Sequence, residues 1–296
     1  MKPFLSSLLL WCRIIRPQTL FASLVPVLVG ANAVSINGSP FSCAVCLVTA
    51  CCALSLQVLS NLVNDYYDFL RGSDAAGRVG YKRALAEGEV SVGAMRRACL
   101  VAAAVACLLG CFLIYVGGWS ILCIGVSALL FAWLYTATPY SLSYLGIADI
   151  FVFLYYGVIA SCGTSYLLLC PDMDFLVMQD VLRDSFLLGG VCGLISVCVL
   201  LINNIRDADT DREAGKKTLP VRFGRPFALA LMFVVICLMP LFAYLVLGFS
   251  PSLLVFVPCL LIWLKMLKAE GTTYNKCLLF TGMTNLLFFF LCLLSS

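Results

Sequence analysis

Long runs of residues without any charged side chain dominate this chain. A membrane-spanning helix needs about 20 predominantly apolar residues, and the two longest runs can each hold two such helices with a turn between them. The runs cover residues 17–64, 98–148, 150–171, 185–205, 226–264 and 277–296. This pattern predicts an all-α protein embedded in a lipid bilayer.

The apolar runs predict nine transmembrane helices, with turn residues such as Gly117-Gly118 between neighbours. The expected helices are about Leu20–Val34, Phe41–Val63, Arg97–Val116, Ser120–Tyr135, Ile147–Leu169, Phe186–Asn204, Pro226–Leu247, Leu253–Leu267 and Cys277–Leu294. We expect all of them to belong to a single domain that covers residues 1–296.

The positions of the cations orient these helices. With nine spans, one membrane face receives the N-terminus and four of the loops, and almost every lysine and arginine falls on that face. Only Arg183 falls on the other face, where several aspartates accompany it. The positive-inside rule therefore places the N-terminus and the charged loops in the cytoplasm. The expected location is a bacterial-type inner membrane.

Composition supports a membrane protein and limits its chemistry. The chain is 62% hydrophobic and 11% charged, whereas soluble domains carry roughly a quarter charged residues. A soluble helical bundle would need polar helix faces, and these helices are apolar all round. The absence of histidine excludes histidine-based triads, metal sites and general bases. The 17 cysteines scatter along apolar segments, where free cysteine behaves as a small hydrophobic residue.

Two acidic clusters end long apolar helices on the predicted cytoplasmic face. Asp65 and Asp68 are three residues apart after the second helix, and Asp207 and Asp211 are four residues apart after the sixth. Either spacing places two carboxylates on one helical face. Asp209 would point away from its neighbours, so its role stays uncertain. Two such clusters, four helices apart, predict two four-helix units followed by a ninth helix.

Clustered carboxylates of this kind are typical of a site for a hard cation. They repel one another unless a cation lies between them, and oxygen ligands suit Mg²⁺ or Mn²⁺, with phosphate oxygens and water completing the shell. Nearby cations could hold the remaining phosphate charge. These cations are Arg78, Lys82, Arg83, Arg206, Lys216 and Lys217. Each loop would be half of a clamp for a Mg²⁺-bound diphosphate, unless its charges simply pair locally in a solvated loop.

Several short motifs lie in and around the two clusters. They are Asn64-Asp65-x-x-Asp68, Arg206-Asp207-x-x-x-Asp211, Arg16-Pro17-x-Thr19 and Tyr135-Thr136-x-x-Pro139-Tyr140. Together they resemble the UbiA superfamily of intramembrane aromatic prenyltransferases, over nearly the whole chain. The segments 203–211 and 215–224 are most similar to the branch that prenylates 1,4-dihydroxy-2-naphthoate in menaquinone synthesis.

The resemblance implies a reaction and its participants. A polyprenyl group would move from polyprenyl diphosphate to dihydroxynaphthoate with loss of the ring carboxylate, giving demethylmenaquinone. The four aspartates of the clusters would be catalytic and hold Mg²⁺, with Asn64 and Asn204 as supporting ligands. Tyr135 and Tyr140 are the first candidates to shield the allylic cation through their aromatic faces. No nucleic-acid partner is expected.

Two further acids have weaker assignments. Asp149 lies near the start of the fifth predicted helix, where an acid commonly interacts with the helix dipole. An acid inside a membrane is also a functional candidate, so Asp149 could orient the aromatic substrate. In the 4-hydroxybenzoate branch, the third acid follows four residues after the second. That position is Gly72 here, and Asp74 comes two residues later, which leaves Asp74 an uncertain ligand.

Three alternatives remain open from the sequence. A transporter would explain two similar halves, although transporters usually place ionisable groups near the middle of the bilayer. A CDP-alcohol phosphotransferase would pack its acids into one contiguous segment, which this chain does not. A sister prenyltransferase would share the clamp and use another acceptor, such as 4-hydroxybenzoate, homogentisate or another dihydroxynaphthoate.

Overall fold

The structure is a computed structural model that describes residues 2–72, 83–135, 142–169 and 175–295. All regular elements in these ranges are helical, as predicted. A π-helical turn, Leu154–Ile159, joins α6 to α7, and a 3₁₀ turn, Pro251–Val255, precedes α11. The helices are α1 Lys2–Ile15, α2 Pro17–Ile36, α3 Cys43–Leu70, α4 Val92–Leu134, α5 Leu142–Leu145, α6 Ala148–Phe153, α7 Ala160–Leu168, α8 Phe175–Arg206, α9 Ala208–Glu213, α10 Leu219–Leu247, α11 Phe256–Met266 and α12 Thr273–Leu293.

Seven helical segments are long and apolar enough to cross a membrane: α2, α3, α4, the continuous segment Ala148–Leu168, α8, α10 and α12. The chain is therefore an all-helical membrane protein. With 43 residues, α4 exceeds what one crossing needs, and Gly118 breaks it with φ 64° and ψ −148°. That backbone conformation favours glycine and lies at the predicted Gly117-Gly118 turn. If the two arms of α4 count separately and the shorter apolar segment Pro251–Met266 is added, the seven candidates become the expected nine spans. The count of nine and the membrane orientation stay predictions.

The sequence did not predict α1, and among the helices that it did predict the largest difference in a boundary lies at the start of α8. This helix begins at Phe175, ahead of the expected Phe186, and includes charged residues that we had placed in a loop. Arg183 pairs with Asp180 at 3.3 Å and with Asp184 at 2.9 Å, and the Asn37 amide donates to Asp184 at 3.1 Å. Because these charges are paired, the helix can continue through them.

α8 lies at the centre of the protein and joins its two halves. It packs against α2, α7, α10, α12 and the π-helical turn, and its apolar residues form one core with α10, α11 and α12. A second core lies between α1, α3 and α4. α2 contacts both groups, so the C-terminal ends of α3 and α8 belong to one packed unit.

Small residues let the central helices approach closely. A β-carbon added at Gly157, in the π-helical turn, would lie 2.6 Å from Cα of Gly193 in α8. Nearby, the Ser161 hydroxyl donates to the Ser185 carbonyl at 2.9 Å. The spacing Gly189-x-x-x-Gly193 indicates such an approach in membranes, and the structure places it within this chain.

Candidate active site

The end of α3 carries the first acidic pair. Asp65 and Asp68 are 3% and 2% exposed, and the guanidinium of Arg83 lies against both carboxylates. Arg83 donates to Asp68 at 2.7 Å, approaches Asp65 at 3.5 Å and donates to the Asn64 side chain at 3.4 Å. Buried carboxylates require such partners, so Arg83 lies against the first acidic pair, and its binding of diphosphate stays a prediction.

A second arginine reaches Asp65 from the junction of α1 and α2. Arg16 has φ 56° and ψ 69°, and it is the one non-glycine residue in the described ranges with positive φ. Its guanidinium pairs with Asp65, and Thr19 donates to its carbonyl oxygen at 2.9 Å. A left-handed backbone is costly for an arginine and persists where the surroundings impose it, often at functional sites. The sequence motif included Arg16 without assigning it a role.

The second acidic pair is built in a similar way at the junction of α8 and α9. Arg206 donates to both carboxylate oxygens of Asp207, at 2.7 and 2.8 Å, which is the strong bidentate geometry. The same guanidinium donates to Asn203 at 2.6 Å and to Asn275 at 2.9 Å. Its orientation is therefore fixed by α8 and by the first turn of α12.

Lys216 brings the two acidic pairs together. Its ammonium lies 3.3 Å from Asp211 and 3.9 Å from Asp68, so one cation contacts a carboxylate from each cluster. The chain reverses after α9 through Gly215 at φ 74°, and the backbone N–H of Lys216 donates to the Asp211 carbonyl at 2.8 Å. Sequence spacing predicted two halves of a clamp, and Lys216 contacts one aspartate from each half.

Other predicted site residues lie elsewhere or outside the described ranges. Asp209 is 94% exposed at its side chain and pairs with Arg212 at 3.0 Å, so it faces away from the clusters. Lys217 is also exposed. Asn204 is buried, and its neighbour Asn203, rather than Asn204, lines the cavity described below. The predicted site residues Asp74, Arg78, Lys82 and Tyr140 lie outside the residues that the structure describes.

A cavity of about 450 Å³ opens beside the clusters. Its polar end includes Arg16, Arg83 and Arg206, and its apolar part extends to Leu113 and Leu167. The four cluster carboxylates are absent from its lining. The arginines therefore lie between the cavity and the carboxylates, and a ligand that enters the polar end meets guanidinium groups first.

Aromatic side chains line the cavity next to its polar end. The ring of Phe131 lies 4.5 Å from that of Phe151 and 4.7 Å from that of Tyr155, between centroids, and all three residues line the cavity together with Tyr135. Burial raises the pKa of the Tyr135 phenol, which directly follows α4, so the phenol stays neutral at physiological pH. This wall could shield a cation without supplying a nucleophilic phenolate.

Asp149 lies in the first turn of α6, as expected for an acid that interacts with a helix N-terminus. Its Oδ1 is buried and accepts no hydrogen bond from the described residues. The carboxyl is close enough to Tyr135 to influence it electrostatically, but Asp149 does not line the cavity. A direct role on a substrate in the cavity would require movement, and its contribution stays a prediction.

The donor set of the clusters fits magnesium. Each cluster offers two buried aspartates with asparagine nearby, and Mg²⁺ typically takes one or two carboxylates beside substrate phosphate and water. Among the described residues, His, Cys, Asp and Glu form no group of three or more that could hold one ion. The protein alone thus supplies part of a coordination shell, as expected where phosphate oxygens complete it.

Comparison with known proteins identifies the family. Residues 23–294 match the UbiA prenyltransferase family. The chain belongs to this family. A 1,4-dihydroxy-2-naphthoate octaprenyltransferase of Escherichia coli (strain K12) is 33% identical over 239 residues, which cover 77% of this chain and 74% of that protein. The corresponding Bacillus subtilis (strain 168) protein is 29% identical, over 76% of this chain and 68% of that one.

Solved structures show the same fold. A UbiA homologue from Aeropyrum pernix K1 aligns with a TM-score of 0.68 at 15% identity, covering 91% of this chain and 96% of the other. A UbiA homologue from Archaeoglobus fulgidus, bound to DMAPP and Mg²⁺, aligns with a TM-score of 0.58 at 17% identity, covering 96% and 97%. The predicted family and enzyme class, a membrane prenyltransferase, are thus confirmed, which decides against the transporter alternative.

Asn275 is a site residue of this UbiA-family enzyme that sequence reasoning missed. We expect Asn275→Ala to raise the KM for polyprenyl diphosphate about tenfold, because a hydrogen bond to a charged group contributes about 1.5–3 kcal/mol and Arg206 would lose one of its three partners. Steady-state kinetics in detergent would measure it. Asn275→Asp keeps an acceptor oxygen and should stay near wild type. Equal KM values for the alanine variant and wild type would show that α12 does not orient Arg206.

Proposed function

We propose that this enzyme transfers a polyprenyl group from polyprenyl diphosphate to 1,4-dihydroxy-2-naphthoate in a Mg²⁺-dependent reaction. The ring carboxylate leaves as CO₂ and diphosphate is released, which gives the demethylmenaquinone skeleton in its reduced form. One observation carries the proposal: a single cavity joins an arginine-lined end, backed by four buried carboxylates, to a long apolar part. A polyprenyl diphosphate has the same division into a charged head and an apolar tail.

The charged end supplies the residues for the diphosphate. Arg16, Arg83 and Arg206 line the cavity, and guanidinium groups match phosphate geometry in a bidentate manner. Lys216 adds a cation between the clusters. As the allylic C–O bond breaks, negative charge builds up on the departing diphosphate, and preorganised cations stabilise that charge most effectively.

The carboxylates would hold the metal from behind these arginines. Asp65 and Asp68 would supply one set of oxygen ligands and Asp207 and Asp211 the other, with Asn64 and the asparagines at the end of α8 nearby. When bound, Mg²⁺ would neutralise phosphate charge and improve the leaving group. The Archaeoglobus fulgidus homologue, which binds Mg²⁺ and a prenyl diphosphate, supports this assignment, and Mn²⁺ is the expected substitute.

The aromatic wall would stabilise the carbon skeleton as it becomes cationic. The faces of Tyr135, Phe131 and Tyr155 line the cavity beside its charged end, where cation–π attraction is strongest in the absence of water. The electron-rich dihydroxynaphthoate ring would attack the allylic carbon. The bond to the carboxylate carbon breaks, and its electron pair restores the aromatic ring.

The acceptor rests on the curated relatives. The proteins from Escherichia coli, Haemophilus influenzae and Bacillus subtilis carry the name 1,4-dihydroxy-2-naphthoate octaprenyltransferase and are 29–33% identical to this chain over most of its length. Eukaryotic UbiA domain-containing proteins are 26–28% identical. We infer the same acceptor here, in a cytoplasmic membrane with the charged loops on the cytoplasmic side, since the positive-inside rule favours that orientation.

The first test is prenyl transfer in nanodiscs with dihydroxynaphthoate and an all-trans polyprenyl diphosphate, with Mg²⁺ or EDTA. Wild type should form product in either redox form only with metal. We expect Asp65→Asn and Asp207→Asn to lower turnover at least 100-fold, because removing one preorganised electrostatic group costs about 10²–10³ in rate. Asp209→Asn is the matched control, since Asp209 lies in α9 two residues after Asp207 and has an exposed side chain.

Each outcome separates one part of the proposal. Metal-independent transfer, or wild-type turnover in both cluster variants, would contradict the metal clamp. Transfer to 4-hydroxybenzoate or homogentisate but not to dihydroxynaphthoate would keep the enzyme class and reject the acceptor. Loss of activity in Asp209→Asn as well would show that transfer depends on the total negative charge around α9 and not on the two clusters.

A further inference from the structure

A glutamine with an unsatisfied oxygen lines the cavity below the charged end. Gln57 lies on α3, two turns before Asp65, and is 6% exposed. Its amide nitrogen donates to Asn61 at 3.3 Å, but its oxygen Oε1 is buried and accepts no well-formed hydrogen bond from the described residues. A buried acceptor without a donor costs about 1–3 kcal/mol, so such an atom calls for a ligand or another physical explanation.

Two hydroxyl groups lie next to this amide on the same wall. The Tyr156 phenol lies against the side chains of Ser60 and Gln57, and Ser60, Gln57 and Tyr156 all line the cavity. Tyr156 belongs to the π-helical turn, and such turns are frequent at functional sites. Gln57, Ser60 and Tyr156 thus form a neutral polar patch on the cavity wall.

Neither end of a prenyl diphosphate explains this patch. The diphosphate is anionic and meets Arg16, Arg83 and Arg206 at the charged end. The isoprenoid tail carries no hydrogen-bond donor, so it would leave Oε1 of Gln57 unsatisfied. A hydroxyarene differs from both, because it offers a phenolic O–H to a carbonyl acceptor and a flat ring to the aromatic wall formed by Phe131 and Tyr155.

We propose that the patch of Gln57, Ser60 and Tyr156 binds a ring hydroxyl of the aromatic acceptor, and that Oε1 of Gln57 accepts a hydrogen bond from this hydroxyl. The inference rests on the proposed function and adds the position at which the acceptor is recognised. Gln57 then determines specificity, because a ring without a hydroxyl at that position leaves the buried amide unpaired. Sites that hydrogen-bond a substrate hydroxyl reject analogues that lack it far more strongly than apolar pockets do.

The test compares dihydroxynaphthoate with its two monomethyl ethers in wild type, Gln57→Met and Tyr156→Phe. Methionine keeps the length of glutamine and removes its oxygen, and phenylalanine removes only the phenolic hydroxyl. We expect wild type to discriminate about tenfold in KM against one of the ethers. Gln57→Met should raise the KM for dihydroxynaphthoate about tenfold and bring the two KM values together. Tyr156→Phe should act in the same direction and more weakly.

The control variant is Ser55→Ala, on the same helix. The Ser55 hydroxyl is already bonded to the Cys51 carbonyl at 2.8 Å, and Ser55 does not line the cavity. Ser55→Ala should therefore keep the wild-type KM values and the wild-type discrimination between dihydroxynaphthoate and its ethers. The KM for polyprenyl diphosphate is the second control, because Gln57 also contacts Asn61, which donates to Thr19 at 2.9 Å near Arg16.

The outcomes separate this inference from the proposed function. Product formation by wild type, with unchanged acceptor KM and unchanged discrimination in both variants, would overturn the inference alone. An equal rise in the KM for polyprenyl diphosphate would also overturn it, since Gln57 would then act on the charged end. Wild type that prenylates 4-hydroxybenzoate instead would contradict the proposed acceptor. The same variants would then be compared on 4-hydroxybenzoate and its methyl ether.

Discussion

Arg83→Gln is expected to lower both the stability of the protein and its prenyl transfer activity. Arg83 is 8% exposed and contacts Asp65, Asp68 and Asn64. Removing one partner of a buried ion pair costs about 3–5 kcal/mol, because the remaining charge is buried without compensation. Transfer should fall at least 100-fold, since one preorganised charge near a leaving group contributes about 10²–10³ in rate. Thermal unfolding in detergent and turnover in nanodiscs would measure the two effects.

A double variant tests why the loss of Arg83 destabilises the protein. Arg83→Gln combined with Asp68→Asn removes the uncompensated charge, so much of the stability should return while activity stays low. Arg212→Gln is the surface control, because Arg212 is 59% exposed at its side chain and pairs with the exposed Asp209, and such pairs contribute about 0–1 kcal/mol. A double variant no more stable than Arg83→Gln would show that the unpaired charge of Asp68 is not the cause of the lost stability.

Gly157→Ala is expected to destabilise the fold although it adds one methyl group. The new β-carbon would lie 2.6 Å from Cα and 2.7 Å from the backbone nitrogen of Gly193, distances at which the backbone must move. Overpacking of this kind costs about 1–3 kcal/mol. Because Gly157 follows Tyr156 in the π-helical turn, the shift should also displace the cavity wall. Lower thermal stability and reduced turnover should therefore appear together.

The matched control is the same substitution at Gly93, near the start of α4. A β-carbon there meets nothing within 4 Å, and alanine is favoured over glycine in a helix by about 0.8–1 kcal/mol. Gly93→Ala should match or exceed the stability of wild type. If Gly157→Ala were as stable as Gly93→Ala, the contact between the π-helical turn and α8 would be looser than the structure indicates.

Much of the site could be predicted from local sequence. The spacing of Asp65 with Asp68 and of Asp207 with Asp211, each after a long apolar run, was enough to propose two clusters on one face. Hydrophobic length also predicted most of the helices, because a bilayer demands about 20 apolar residues per span. The turn at Gly117-Gly118 could also be predicted from local sequence, since glycine tolerates a positive φ.

The rest of the site could not be predicted, because it depends on contacts between residues that are distant in the sequence. Asn275 lies 69 residues beyond Arg206, and nothing in its neighbourhood distinguishes it from an ordinary helix-start residue. Gln57 belongs to an apolar run and becomes notable only because its oxygen is buried in a cavity wall. Lys216 was predicted to bind diphosphate, but its position between Asp68 and Asp211 required the packing of both halves.

The start of α8 shows the opposite error, in which a local rule was applied too strictly. The uncharged run begins after Asp184, so the sequence predicts a helix that starts at Phe186. Charged residues end an apolar pattern, but they do not end a helix when they pair with one another and with Asn37. Hydropathy therefore locates the apolar part of a helix better than its ends.

The bond between Arg206 and Asn275 also has a consequence for how the enzyme is made. The ribosome completes α8 before it synthesises α12, and the 69 residues between the two partners take roughly 3–14 s at about 5–20 residues per second. The contact between Arg206 and Asn275 can therefore form only after the start of α12 has been synthesised, and until then Asn203 and Asp207 are the other partners within reach of Arg206.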